Sequence, residues 1–162
     1  LNKGSGKVAV SSDRVIALAD EAATTALGVW LATRLRRGDV VCLWGALGSG
    51  KSTLARGLIR ALTSPDEPVP SPTFTLIQTY DGPSFAIAHL DLYRLKSARE
   101  IEEIGLEEAI DEGAVLIEWP ERLEGHLPAD RLDIVFALPD GTAGRRVRLL
   151  PHGDWKERAL EF

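Results

Sequence analysis

Apolar positions along this chain come in short blocks, and the change of spacing from block to block marks out strands and helices. Arg14-Val-Ile-Ala-Leu18 reads as a short strand. Asp20 then offers an N-cap, with Glu21 in the first helical turn, where a carboxylate suits the dipole. Ala23, Leu27, Trp30, Leu31 and Leu35 fit one face of a helix; Gly38 is placed to stop it, with Arg36 and Arg37 in the last turn. Asp39 to Trp44 is almost continuously apolar, as expected of a central parallel strand covered on both faces.

A glycine-rich stretch follows, then a helix to about Leu62 and a proline-rich surface loop from Thr63 to Pro72. Thr73 to Tyr80 and Ser84 to Leu90 read as strands joined by the hairpin signal Asp81-Gly82-Pro83. Ala98 to Ile110 reads as one acidic helix with Ile101, Ile104, Leu106 and Ile110 as its apolar members and its glutamates as a wet face. Gly113 ends it, and Ala114 to Ile117 is a second buried strand. Leu132 to Leu138 and Arg146 to Leu150 bracket Pro139-Asp140-Gly141 as a final hairpin, and the tail from His152 forms a short helix around Trp155.

Composition adds limits. With 162 residues the chain is about one domain long, enough to bury about two thirds of its unfolded surface without staples. The net charge of -5 argues against a chain whose main task is gripping phosphate backbone. The basic clusters Arg34, Arg36, Arg37 and Arg145, Arg146, Arg148 read as solvated faces. Val40 to Trp44 is too short to cross a bilayer, and Leu1 to Lys7 reads as a loose lead-in, unlike a basic-then-apolar signal peptide. The single cysteine, Cys42, excludes an internal disulfide and a thiolate zinc cage; it reads as a small core residue suited to a reducing cytosol.

The chemistry sits in Gly45-Ala-Leu-Gly-Ser-Gly-Lys-Ser52, which matches the Walker A pattern G-x-x-x-x-G-K-[ST]. Glycines let main-chain N–H groups approach phosphate oxygens, and the helix that follows adds unsatisfied donors and partial positive charge. Lys51 reaches the β- and γ-phosphates, and the Ser52 hydroxyl can coordinate Mg2+. A buried strand before the loop and a helix after it supply the context the motif requires. Such a site also needs an acid at the end of a neighbouring strand; Glu118 and Asp91 both qualify, and spacing alone does not rank them.

Beyond the loop, the ordered set GALGSGKST, SPTFTL (Ser71 to Leu76), HLDLYRL (His89 to Leu95) and LIEWPER (Leu116 to Arg122) resembles the bacterial TsaE family, also called YjeE, over about Asp20 to Leu150. The resemblance implies a cytoplasmic ATPase of weak activity in isolation, serving tRNA threonylcarbamoyladenosine synthesis. It implies ATP and Mg2+ as cofactors and the TsaD–TsaB pair as partners, with tRNA reached through that complex and no membrane involved. It implies a nucleotide-binding set of Glu21, Gly45, Leu47, Gly48, Ser49, Gly50, Lys51, Ser52 and Thr53. Ser52 and Glu118 become the metal ligands, Asp91 the catalytic aspartate, and Thr73 a switch-type threonine; Lys51 serves catalysis as well as binding. Trp119 belongs either beside the site or in the core. Ala46 replaces the family's usual acid or amide, while Ser49 and Ser52 replace the commoner Ala and Thr.

The expected fold is α/β, a P-loop NTPase-like three-layer sandwich with a mostly parallel central sheet and antiparallel hairpin additions. Residues 1–162 are read as one nucleotide-binding domain, with 1–10 and 152–162 peripheral. No arginine is obviously placed to act as a finger; Arg94 is the nearest, with a structural salt bridge as its other reading. Two rival functions share the cradle. A small-molecule kinase would need a lid, for which the Thr63 to Pro72 loop is short and proline-rich. A nucleotide-gated interaction module would use ATP only to order Ser71 to Leu76, and the acidic helix could serve as a docking surface.

Overall fold

The computed structural model describes residues 13–123, 125–137 and 144–162. Strand β1 (Arg14–Leu18) leads into helix α1 (Glu21–Ala32), β2 (Val40–Trp44) and α2 (Lys51–Leu62). The hairpin of β3 (Ile77–Asp81) and β4 (Ala86–Asp91) precedes two short helices, α3 (Ala98–Ile104) and α4 (Leu106–Glu112). Strands β5 (Gly113–Glu118), β6 (Arg131–Phe136) and β7 (Arg145–His152) complete the sheet, and a 3-10 turn at Gly153–Glu157 buries Trp155.

Among the described residues, seven strands form one sheet in the order β1-β7-β6-β2-β5-β4-β3. The central four, β6, β2, β5 and β4, run parallel, while β3 on one side and β7 and β1 on the other pair antiparallel. β2 and β5 are apolar on both faces because both faces are covered. Leu27 and Leu31 of α1 and Leu54, Leu58 and Ile59 of α2 pack on one face, each wholly buried. Burial of one such side chain contributes roughly 1.5–3 kcal/mol. On the other face, Leu106, with partly buried Ile101, Ile104 and Ile110, covers Cys42, Leu90, Val115 and Ile117. The glutamates Glu102, Glu103, Glu107 and Glu108 face water, as the sequence pattern requires.

Three features depart furthest from the sequence reading. α1 stops at Ala32, six residues before Gly38, because Thr33 caps it: its N–H and hydroxyl both donate to the Trp30 carbonyl. Arg36 and Arg37 therefore lie beyond the helix, where the Arg36 N–H donates to Asp39 and Arg37 donates to the carbonyls of Glu112 and Ser84. The single acidic helix is two helices, broken at Gly105, whose φ of +75° suits a residue without Cβ. The first strand of the hairpin begins at Ile77, not Thr73, because Leu76 takes φ +65° and its N–H closes a turn onto Pro72. The turn expected at Pro139-Asp140-Gly141, with Leu138, and the opening segment 1–10 lie outside the described residues.

Candidate functional site

In an open α/β sheet, ligands gather beyond the carboxyl ends of the parallel strands. Here β2, β4 and β5 end at Trp44, Asp91 and Glu118, and β2 runs straight into the glycine loop. The loop cannot tolerate side chains at certain points. A Cβ on Gly45 would sit 2.8 Å from Ser49 Oγ and 2.9 Å from Phe136 Cβ. Gly50, at φ +110°, is the N-cap of α2, so the first amides of that helix face the loop.

The cavity above them measures about 740 Å³. Glu21, Leu47, Gly48, Ser49, Gly50, Lys51, Ser52 and Thr53 line it, together with Thr73, Asp91 and Glu118. Gly45 contributes its carbonyl, which accepts from Lys51 Nζ at 2.6 Å. The sequence-derived set thus converges on one place. Leu47 stands 80% exposed at the loop's tip, and Ala46 is exposed beside it. Ser49 is buried, its hydroxyl without a hydrogen-bond partner among the described residues.

Lys51 is almost fully buried, and its ammonium lies 3.4 Å from the centroid of the Trp119 ring. Burial lowers its pKa from the ordinary 10.5, against the opposing pull of Glu118, Glu121 and Asp91. Trp119 therefore belongs beside the site. Its own backbone is unusual: φ is +60°, a region that non-glycine residues rarely occupy, and Leu76 shares that feature. One strained residue follows Glu118 directly, and the other accepts the Asp91 N–H at its carbonyl, so both outliers flank the acids.

The two acids are differently engaged. Glu118 Oε1 accepts from the Ser52 hydroxyl at 3.2 Å, and its Oε2 lies 2.7 Å from His89 Nε2. Asp91 Oδ2 accepts from Thr73 Oγ1 at 3.1 Å and Ser71 Oγ at 3.3 Å, while its Oδ1 accepts the Tyr93 N–H at 3.0 Å. Two oxygens on adjacent corners of an octahedral Mg2+ shell lie about 2.9 Å apart, so Ser52 and Glu118 have a spacing such an ion accepts. Among the described residues no group of three or more His, Cys, Asp or Glu could hold a metal alone.

Four participants were missed from sequence. His89 and Ser71 sit inside quoted motifs, yet nothing in their spacing says they meet Glu118 and Asp91. Tyr93 packs on Trp119 with ring centroids 5.0 Å apart. Arg145 donates to the Gly48 carbonyl at 2.9 Å from 97 positions away, so part of the second basic cluster serves the loop. Among the described residues Arg94 makes no salt bridge; it lines the cavity and stacks on the exposed Phe74 ring. Among the described residues, no helix is long and apolar enough to cross a membrane.

Known proteins similar to this chain can be named. Residues 18–147 match the family model described as threonylcarbamoyl adenosine biosynthesis protein TsaE. A Rickettsia bellii protein named tRNA threonylcarbamoyladenosine biosynthesis protein TsaE is 43% identical over 109 residues, 67% of this chain and 76% of its own. The Nostoc protein of the same name is 40% identical over 141 residues, 84% of this chain and 85% of its own. The crystal structure of Bacillus subtilis YdiB is similar with a TM-score of 0.72 and 29% identity, covering 88% of this chain and 87% of that one. With a match across most of its length and a fold to suit, the chain belongs to the TsaE family.

Proposed function

We propose that this protein is the Mg2+-dependent ATPase of tRNA N6-threonylcarbamoyladenosine synthesis. It acts in the cytoplasm, where it drives turnover of a TsaD–TsaB transferase complex and reaches tRNA through that complex. The names of its relatives supply the pathway. The observation that carries the ATPase reading is the meeting of Lys51 and Ser52 with Asp91 and Glu118 in one cavity at the strand ends.

The amides of the loop and of the first turn of α2 hold the phosphate oxygens, and Lys51 adds a charged donor. To do so its ammonium turns from the Gly45 carbonyl and the Trp119 face, two neutral partners, towards an anion. Ser52 and Glu118 are the residues that hold Mg2+, which when bound screens the charge on the β- and γ-phosphates. Asp91 accepts a hydrogen bond from, and so orients, the attacking water, while Thr73 bridges the 71–76 loop to Asp91. Arg94, stacked on the exposed Phe74 ring, and Arg145, held by the Gly48 carbonyl, both line the cavity; hydrolysis by the isolated chain is slow, and partners accelerate it.

A second reading has one observation in its favour. Both Asp91 oxygens are occupied by the 71–76 loop and the Tyr93 amide, as they would be if Asp91 served to latch a nucleotide-sensing loop. Multiple-turnover tRNA modification by TsaD–TsaB, with and without this chain, tests the proposal. Restoration by the wild type and not by Lys51→Ala is the expected result; no effect of the wild type rejects it.

A further inference from the structure

Glu118 is gripped from two sides, by Ser52 at Oε1 and by His89 at Oε2, and the His89 and Glu118 side chains are each 3% exposed. His89 stands two residues before Asp91 on β4, so strand alternation puts both on the face that looks toward α2. In register, Asp91 is level with Glu118 and His89 with Leu116. Ile87, Ala114 and Leu116 make the rest of that face apolar and belong to the α1–α2 core.

An imidazole is costly to bury among such neighbours, and its Nδ1 is buried with no hydrogen-bond partner among the described residues. A leucine would fill the space without that cost. What the ring adds is a fixed donor: a carboxylate only accepts, so the hydrogen lies on Nε2 and points at Oε2. A Glu118 released from His89 is free to turn Oε1 away from the Ser52 hydroxyl. That swing would cost the site an oriented oxygen.

We propose that His89 is a positioning residue, which holds Oε2 so that Oε1 of Glu118 stays turned toward the Ser52 hydroxyl and the two oxygens are presented together to a divalent ion. The inference rests on the reading of Ser52 and Glu118 as the metal-binding pair. It is independent of whether Asp91 or a partner governs hydrolysis.

Two amides separate positioning from bulk. In His89→Gln the amide nitrogen lies near the place of Nε2, whereas in His89→Asn it falls short, near Nδ1. Calorimetric ADP affinity is measured over a series of Mg2+ concentrations and with chelator, beside thermal unfolding. All variants should bind ADP equally without metal. The half-saturating Mg2+ should rise about 10- to 100-fold in His89→Asn and stay near wild type in His89→Gln. Should the Asn variant not fold, His89→Leu, which suits the apolar surroundings, is expected to show the same rise. A folded Asn or Leu variant with the wild-type Mg2+ requirement overturns the role of His89, as does a Gln variant impaired as much as the others. A wild type whose nucleotide affinity ignores Mg2+ instead overturns the metal-binding reading, and this inference with it.

Discussion

Asp91 and Glu118 stand level with each other at the ends of two neighbouring parallel strands, yet their carboxylates face different partners. Glu118 meets the first turn of α2 through Ser52, whereas Asp91 meets the 71–76 loop through Ser71 and Thr73. Register alone brings the acids together; what each touches divides their work.

Asp91→Asn keeps the size of the side chain and removes its charge. If Asp91 orients the water, phosphate release falls about 10²- to 10⁴-fold while nucleotide affinity changes little. Unchanged tRNA modification by a variant that no longer releases phosphate would favour the latch reading instead.

The cradle depends on how closely α1 approaches α2. A Cβ on Gly28 would lie 2.4 Å from the Leu54 carbonyl oxygen and 2.9 Å from the Leu58 amide nitrogen, both main-chain atoms that cannot rotate away. Gly28→Ala should destabilise the fold by about 1–3 kcal/mol, with Tm falling about 2–4 °C for each kcal/mol. Calorimetric melting measures it, and an unchanged Tm would mean the helices part at no cost.

Cys42 is wholly buried on β2, and burial, with Asp133 beside it, pushes its thiol far above the usual range. A colorimetric disulfide reagent at pH 8 should leave the native protein unlabelled and react with one thiol per chain in denaturant. Rapid labelling of the native state would contradict the sealed face.

The lowered pKa of Lys51 has a pH signature. Between that pKa and 10.5 the unfolded chain keeps a proton that the folded chain has shed, so stability gains with rising pH; below both values the penalty is constant. Lys51→Met removes this linkage. The stability of wild type relative to the variant, from urea unfolding, should therefore improve as pH climbs toward 10.5. A flat difference would show that the ammonium is not desolvated.

The parts of the site legible in sequence are those fixed by local geometry. Glycine spacing, Lys51 and Ser52 are read within one turn of chain, and the β3–β4 hairpin is announced by its own turn. The break at Gly105 was missed: the sequence reading carried one helix across it, although glycine inside a helical pattern is a weak point. The stop at Thr33 was not legible, because Gly38 carried the more familiar signal and a threonine hydroxyl turned back on its own helix does not show as a pattern. His89 meets Glu118 across 29 positions and Arg145 meets Gly48 across 97; both contacts exist only once strand order and register are set. Spacing left Asp91 and Glu118 unranked for the same reason, and the family resemblance supplied the choice.

The most direct test is calorimetric titration of the wild type and Lys51→Ala with Mg·ATP. Saturable binding by the wild type and an affinity lower by about 10- to 100-fold in the variant are the expected results, the loss being that of one charged hydrogen-bonding group. No heat from the wild type, or equal affinity in both proteins, would contradict a triphosphate cradle built around Lys51.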